Sequence, residues 1–333
     1  MEFVLLLLGF GLLIKSADYV VDGASFMAEY LKIPALIIGF TVVAFCTSAP
    51  ELAVSVTASL KSQNDLAFGT VIGSNIFNLL IVIGMAGFIK TLYMGKAAIY
   101  KEFPFLILSS ILILILCSDM IFRPGSVNML SKTDGVILII FFGVFIHSLL
   151  KVTLKPRNKF MLDEVSLSID VDSYITTQDG ASKCISLNKA LLLSFIGIIG
   201  LIIGSQIVVK SAITIANNFG VSSQLIGLTI IAIGTSLPEF IIAIIAASRG
   251  ESDIALGNII GSNTFNVLFI LGVSSLASPM PISSELFLDI LFMIIATIVT
   301  YIFALREKDI NKFESITLIC IYVLYVLFLL SSY

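Results

Sequence analysis

One stretch of this chain occurs twice. Residues 39–84, GFTVVAFCTSAPELAVSVTASLKSQNDLAFGTVIGSNIFNLLIVIG, align without a gap to residues 227–272, GLTIIAIGTSLPEFIIAIIAASRGESDIALGNIIGSNTFNVLFILG, at an offset of 188 and with 19 of 46 positions identical. Most other positions exchange one aliphatic residue for another, as any two apolar helices do. Shared composition does not explain Thr47-Ser48-x-Pro50-Glu51 against Thr235-Ser236-x-Pro238-Glu239, nor GSNIFN against GSNTFN. The chain is therefore two copies of one unit, and its fold must seat both.

The unit is made for a membrane. Hydrophobic residues make up 58% of the chain and charged ones only 12%, with a mean hydropathy of +1.09, which excludes an ordinary water-soluble globule. About 20 apolar residues cross a bilayer core. Windows of that kind lie at 3–22, 36–60, 66–89, 103–118, 135–150, 190–213, 224–248, 254–277, 285–304 and 313–332. Their apolar runs are continuous rather than alternating, so helices are expected and not a barrel. The first run lacks a basic leader region and a small-residue cleavage site and carries Lys15, Asp18 and Asp22, so it reads as a span and not as a signal peptide.

Ten windows put both termini on one side. Of the nineteen Lys and Arg residues, Lys61, Arg123 and Lys132 fall in loops on that side, fourteen on the other, and Lys15 and Lys210 within spans. The positive-inside rule then sets both termini outside and the long central loop in the cytoplasm of a cell-membrane protein. Five spans separate equivalent positions, and five is odd, so the second copy enters the membrane from the opposite face. The expected fold is an all-α polytopic membrane protein of ten transmembrane helices, arranged as two inverted-topology five-helix repeats: residues 1–150, a cytoplasmic linker 151–189, and residues 190–333. In transporters such repeats meet near the midplane, where interrupted helices form the substrate site.

Pro50 and Pro238 supply the interruptions. A proline removes one backbone N–H and its ring clashes with the carbonyl four residues back, that of Cys46 or Gly234, which also loosens the carbonyls of Thr47 and Thr235. Released carbonyls in hydrocarbon need a partner, and a hard cation is one. Beside each proline stands a glutamate, and a carboxylate at mid-membrane costs roughly 2.5 kcal/mol or more, which marks Glu51 and Glu239 as functional candidates. Two carboxylates, carbonyls and hydroxyls form an all-oxygen donor set suited to Ca2+ or Na+. In the following segment Thr70, Ser74 and Asn78, like Asn258, Ser262 and Asn266, recur every four residues and so share one helix face. Gly69-x-x-x-Gly73 and Gly257-x-x-x-Gly261 run beside them and permit close backbone approach.

The remaining features are plainer. Cys46, Cys117, Cys184 and Cys320 have no C-x-x-C spacing and read as small buried hydrophobes. His147 is the single histidine, which disfavours a transition-metal site, and it reads as a boundary residue. Lys15, Asp18 and Asp22 are expected to snorkel or pair with one another. The 151–189 segment holds Asp163, Glu164, Asp170 and Asp172 but no EF-hand spacing, and reads as a tether.

At the doubled motif, A-x-x-T-S-x-P-E followed by G-S-N-x-F-N, the chain resembles the sodium/calcium exchanger branch of the calcium/cation antiporter superfamily. With the ten windows, the resemblance covers essentially the whole chain. It implies a divalent site formed by Glu51, Glu239 and the carbonyls of Thr47 and Thr235. It also implies Na+ sites that add the carbonyls of Ala44 and Ala232 and the hydroxyls of Ser48, Ser236, Ser74 and Ser262, with Asn78 and Asn266 at the centre. Helices 1 and 6 would slide across a static core formed by the others, and several Na+ would move per Ca2+. Potassium-dependent relatives place an aspartate where this chain has Asn266, and proton-driven ones carry a G-N-x-x-E signature absent here; both departures favour Na+ coupling.

The expected function is thus Na+/Ca2+ antiport, with Ca2+ and Na+ as transported ions, the lipid bilayer as environment, and neither an organic cofactor nor nucleic acid involved. The alternatives are Ca2+ or other cation exchange coupled to H+ or K+, and a passive cation channel. An intramembrane enzyme is disfavoured, since neither H-E-x-x-H nor G-x-S-x-G is present.

Overall fold

The structure, a computed structural model, describes residues 2–119, 127–153, 187–219 and 232–332. Cys184, Arg123, nearly all of the expected linker with its acidic residues, and residues 224–231 of the seventh window lie outside the described residues. The described chain is helical: α1 (Glu2–Leu31), α2 (Ala35–Thr47), α3 (Ala49–Leu60), α4 (Asn64–Ile89), α5 (Ala98–Leu116), α6 (Lys132–Thr153), α7 (Leu187–Asn218), α8 (Ala232–Thr235), α9 (Leu237–Arg249), α10 (Ser252–Ala277), α11 (Ser284–Glu307) and α12 (Lys312–Ser332). Among the described residues eight helices are long and apolar enough to cross a membrane, or nine if the bent pair α2 and α3 makes one span.

Helix starts follow from local chemistry. Before α6, the Ser131 N–H donates to Asp134 Oδ2 (2.8 Å) and the Asp134 N–H to Ser131 Oγ (3.3 Å). Before α12, the Asn311 N–H donates to Glu314 Oε2 (3.1 Å) and the Glu314 N–H to Asn311 Oδ1 (3.2 Å). Each reciprocal pair satisfies two otherwise free backbone donors. Two short antiparallel clasps then link distant segments. Leu92–Tyr93 (β1), after α4, pairs with Asp309–Ile310 (β4), before α12; Met129–Leu130 (β2), before α6, pairs with Met280–Pro281 (β3), after α10.

Helices α4 and α10 form the centre. All residues of α10 from Ile254 to Phe265 are buried, which explains why this helix has no polar outer face in its sequence. Its polar residues therefore address protein and not lipid. Gly257 and Gly261 let α10 touch α2: a Cβ at Gly257 would lie 2.6 Å from the Leu36 carbonyl oxygen, and one at Gly261 2.8 Å from Phe40 Cα. At Gly69 and Gly73 no described residue lies within 4 Å of a Cβ.

Helices α1 and α7 run well past the expected 3–22 and 190–213. At 30 and 32 residues each is about 45 Å long against an apolar core of about 30 Å, so each tilts or projects. Hydropathy windows stop at charged residues; a helix does not, and the contact that holds this pair depends on small residues. The two lie antiparallel, Gly9 against Val208, Ser16 against Gly197 and Gly200, Gly23 against Ser194, so close that a Cβ on Gly23 would sit 2.0 Å from Ser194 Oγ.

Asp18 and Asp22 do not pair with Lys15. Both bind Arg249, at the end of α9, while Lys15 Nζ lies 5.1 Å from the centre of the Tyr19 ring. The sequence offers no hint of a pairing across that separation, and the fold makes it because α1 packs along α9. These side chains are 25–54% exposed, where an ion pair is worth about 1 kcal/mol or less. Arg249→Ala is accordingly expected to shift the melting temperature of the purified protein by no more than a few degrees, measured by scanning fluorimetry. The cysteine reading also needs correcting: Cys117 is buried, but Cys46 is half-buried and Cys320 exposed, since α12 turns the latter outward. His147 is exposed near the end of α6.

Candidate ion-binding site

The two TSxPE motifs break their helices in the same way. The break falls at Ser48 (φ −82°, ψ 7°) and Ser236 (φ −88°, ψ 5°), two residues before each proline. Pro50 and Pro238 are thus not kinks inside continuous helices; each sits in the first turn of a new one, where a missing N–H leaves no bond unmade. Helix α2 meets α3 at 46°. In consequence Glu51 and Glu239 occupy the first turns of α3 and α9, the positive ends of those helices, which favour a carboxylate.

The two halves interlock at these glutamates. Both are 1% exposed, and they face each other closely enough for their charges to interact. Ser48, from the first motif, donates to Glu239 Oε1 at 3.1 Å. Ser236, from the second, stands 3.3 Å from Glu51 Oε1 and 2.8 Å from Ser74 Oγ. Ser262 Oγ lies 3.5 Å from Glu239 Oε1. The hydroxyls of Thr47 and Thr235 face Glu239 and Glu51 respectively, so the Thr-Ser pair of each motif reaches the other motif's acid.

Thr47 Oγ1 is also 3.1 Å from Asn258 Oδ1 and 3.4 Å from Ser262 Oγ, while Asn258 Nδ2 donates to the Glu239 carbonyl at 3.3 Å. Its repeat counterpart Thr70 instead bonds to its own helix, at Leu66 O (2.7 Å). The matched polar faces are therefore used differently. The Ala44 carbonyl lies at the first break, where it accepts the Ser48 N–H (3.1 Å) and stands 3.2 Å from the Thr47 hydroxyl; Ala232 opens α8. Helix α7 reaches the second break, where Ser205 Oγ donates to the Gly234 carbonyl at 3.1 Å. A Cβ on Gly234 would lie 2.3 Å from Val209 Cγ2, so α7 leaves no room there for the cysteine found at position 46.

Asn78 and Asn266 are 1% exposed and open matching π-type turns, Asn78–Val82 and Asn266–Ile270, a helix irregularity that recurs at functional sites. Asn78 Nδ2 donates to Asn263 Oδ1 (3.0 Å) and Asn266 Nδ2 to Asn75 Oδ1 (3.0 Å). Asn75, Asn263 and Asn258 were not among the ligands expected from the motif. The first two could have been found, because the GSN of each motif repeats them at the common offset.

Four buried oxygens, Glu51 Oε2, Glu239 Oε2, Asn78 Oδ1 and Asn266 Oδ1, have no hydrogen-bond partner among the described residues. Such atoms are costly without a partner. Among the described residues no three His, Cys, Asp or Glu side chains cluster, so the charge of this site comes from the two glutamates. Two carboxylate and two amide oxygens form a hard, oxygen-only donor set, matched to Na+ or Ca2+ and poorly matched to a soft metal.

Comparison with known proteins agrees with that chemistry. A family model described as sodium/calcium exchanger protein matches residues 1–151 and 189–331. The chain belongs to the sodium/calcium exchanger family. Within this family it is 29% identical over 350 residues to the sodium/calcium exchanger MaX1 of Methanosarcina acetivorans, covering 98% of each chain. It is 36% identical over 278 residues to the inner membrane protein YrbG of Escherichia coli, covering 83% of this chain and 79% of that one. Among solved structures, the sodium-calcium exchanger NCX_Mj soaked with Na+ and Sr2+ superposes with a TM-score of 0.80 at 27% identity, over 98% of this chain and 97% of that one. Sodium/calcium exchanger family members are transporters, so this chain is an integral membrane cation antiporter and not an enzyme.

Proposed function

We propose that this antiporter exchanges Na+ for Ca2+ across the cell membrane by alternating access. In this reading ten transmembrane helices form two inverted five-helix repeats, residues 1–150 and 190–333, joined by a cytoplasmic 151–189 segment, with both termini outside. Glu51 and Glu239 hold the ions, with the carbonyls of Thr47, Thr235, Ala44 and Ala232, the hydroxyls of Ser48, Ser236, Ser74 and Ser262, and the amide oxygens of Asn78 and Asn266. Helices α1 and α7, the long pair, slide against the rest to expose the site to one side and then the other.

The reciprocal bonding of the two glutamates, each to the other repeat's serine, is the observation that carries this reading. It makes one site from two halves, and any displacement of the halves changes its shape. Charge balance supplies the coupling. Two buried carboxylates cost several kcal/mol each when bare; one Ca2+ neutralises both, and so do two Na+. A site costly to leave empty changes sides with an ion load, which is exchange and not leak. The motif Asn at 266, in place of a third carboxylate, leaves no extra charge for K+.

Radiolabelled Ca2+ uptake into proteoliposomes loaded with Na+ tests this directly. Uptake is expected to rise with the outward Na+ gradient and to vanish when Na+ is equal on both sides. Ca2+ movement that persists without any Na+ gradient indicates a passive channel, and movement that instead tracks an imposed pH or K+ gradient indicates the other coupling ions.

A further inference from the structure

We propose that Asn75 and Asn263 are positioning residues that set which end of the Asn266 and Asn78 amides meets the transported ion, each repeat orienting the other repeat's ligand. The proposal rests on the reading above that Asn78 and Asn266 are ion ligands, and it goes beyond it by explaining why these amides offer oxygen.

An asparagine side chain is nearly symmetric in shape but opposite in chemistry at its two ends, one accepting and one donating. A cation cage needs the accepting end. Nothing in Asn78 itself selects that end; a half-turn of the amide would place two N–H donors toward the ion. The selection comes from a chain of contacts that starts at backbone atoms, whose polarity is not reversible. Asn75 Nδ2 donates to the backbone carbonyl of Asn263 at 3.1 Å, and Asn263 Nδ2 donates to the backbone carbonyl of Asn75 at 3.2 Å. Each of these amides is thereby locked with its Oδ1 turned away from that carbonyl. The locked Oδ1 atoms are acceptors, and they take the Nδ2 groups of Asn78 and Asn266. That leaves Asn78 Oδ1 and Asn266 Oδ1 as the free ends, and these two buried oxygens have no hydrogen-bond partner among the described residues.

Reversing Asn78 would set its Oδ1 against Asn263 Oδ1, acceptor against acceptor in a site 0–1% exposed, where no solvent softens the repulsion. The order is imposed before any ion arrives, so the ion does not have to rotate the amide on each loading step. This is preorganisation of a ligand by a group that does not touch the ion. The four asparagines also bridge α4 to α10, so the same contacts join the halves. A mere structural clasp and a positioning device therefore predict different things for the ion.

A double-substitution cycle separates them. Ca2+ binding to the purified full-length protein is measured by titration calorimetry, with exchange rate and thermal melt followed in parallel, for Asn263→Leu, Asn78→Asp and the pair. Asn263→Leu removes the acceptor and is expected to weaken Ca2+ binding about tenfold, the usual scale for an outer-shell partner of a metal ligand, with the maximal exchange rate largely kept. A carboxylate presents oxygen in either orientation. In the Asn78→Asp background the same substitution is therefore expected to cost no more than about twofold, since the coupled term is gone. Equal losses in both backgrounds overturn the proposal and leave only a clasp. If Asn263→Leu does not fold, Asn263→Asp decides: it keeps an acceptor for Asn78 but cannot donate to the Asn75 carbonyl, so Ca2+ binding is expected to survive, and its loss overturns the proposal. Asn78→Leu guards the premise. If it leaves Ca2+ binding unchanged, the ion-site reading itself fails, an outcome distinct from equal losses in the cycle.

Discussion

Glu239→Gln is expected to lower Na+-driven Ca2+ uptake at least about a hundredfold, more than the loss usual for an outer-shell partner of a metal ligand, in a protein that still folds. The amide has the shape of the carboxylate and keeps an oxygen for the Ser48 hydroxyl, 3.1 Å away in the parent. What it lacks is the charge, and it turns an N–H2 group to where Glu239 Oε2 now lies unpartnered. One remaining carboxylate cannot balance a divalent ion, and the donor repels it. Removing a buried charge relieves desolvation, so the melting temperature of the ion-free protein should hold or rise. Glu51→Gln should behave alike, because the bonding is reciprocal. A folded Glu239→Gln protein with ordinary uptake would sink the site assignment; an unfolded one would assign the residue to stability.

Gly257→Leu is expected to destabilise the protein by about 3 kcal/mol or more, the upper range for overpacking a filled core. Its first added atom would lie 2.6 Å from the Leu36 carbonyl oxygen and 3.0 Å from Gly39 Cα. Both are backbone, so no side chain can rotate out of the way. To admit it, α2 must leave α10, and α2 carries Thr47 to the site. The yield of monodisperse protein and its thermal melt measure this. Gly11→Leu is the contrast: among the described residues nothing lies within 4 Å of a Cβ there, and a change within about 1 kcal/mol is expected. Similar melting temperatures for the two variants would refute the close approach of α2 and α10.

The candidate site was legible where two signals coincided. A lone proline or glutamate in an apolar run has many meanings; Pro50-Glu51 and Pro238-Glu239 at one offset have few. Ser48, Ser236, Ser74 and Ser262 followed from the same alignment, and all four enter the hydrogen-bonded cluster around the acids. The place of the break did not follow. The rule for proline inside a helix points to the carbonyl four residues back, whereas the chain yields at Ser48 and Ser236 and starts a fresh helix, the position proline prefers when packing allows it. Asn75 and Asn263 were visible as repeated letters but not as partners, because a hydrogen bond from one helix to another has no periodicity within either.

The doubled motif and the apolar runs determined, without coordinates, that the chain lies in a membrane, that its helices repeat, and that two carboxylates fall at matched positions. Those properties depend on transfer free energies and on spacing along one chain, and both can be read from residue order. Only the tertiary structure decided that Ser48 serves Glu239 and not Glu51, that Asn258 departs from Thr70, and that Arg249 holds Asp18 and Asp22. Each of these is a contact of a few ångströms between segments far apart in the chain. Helical period assigns a residue to a face; the approach of two backbones, here fixed by Gly257 and Gly261 against α2, assigns its partner.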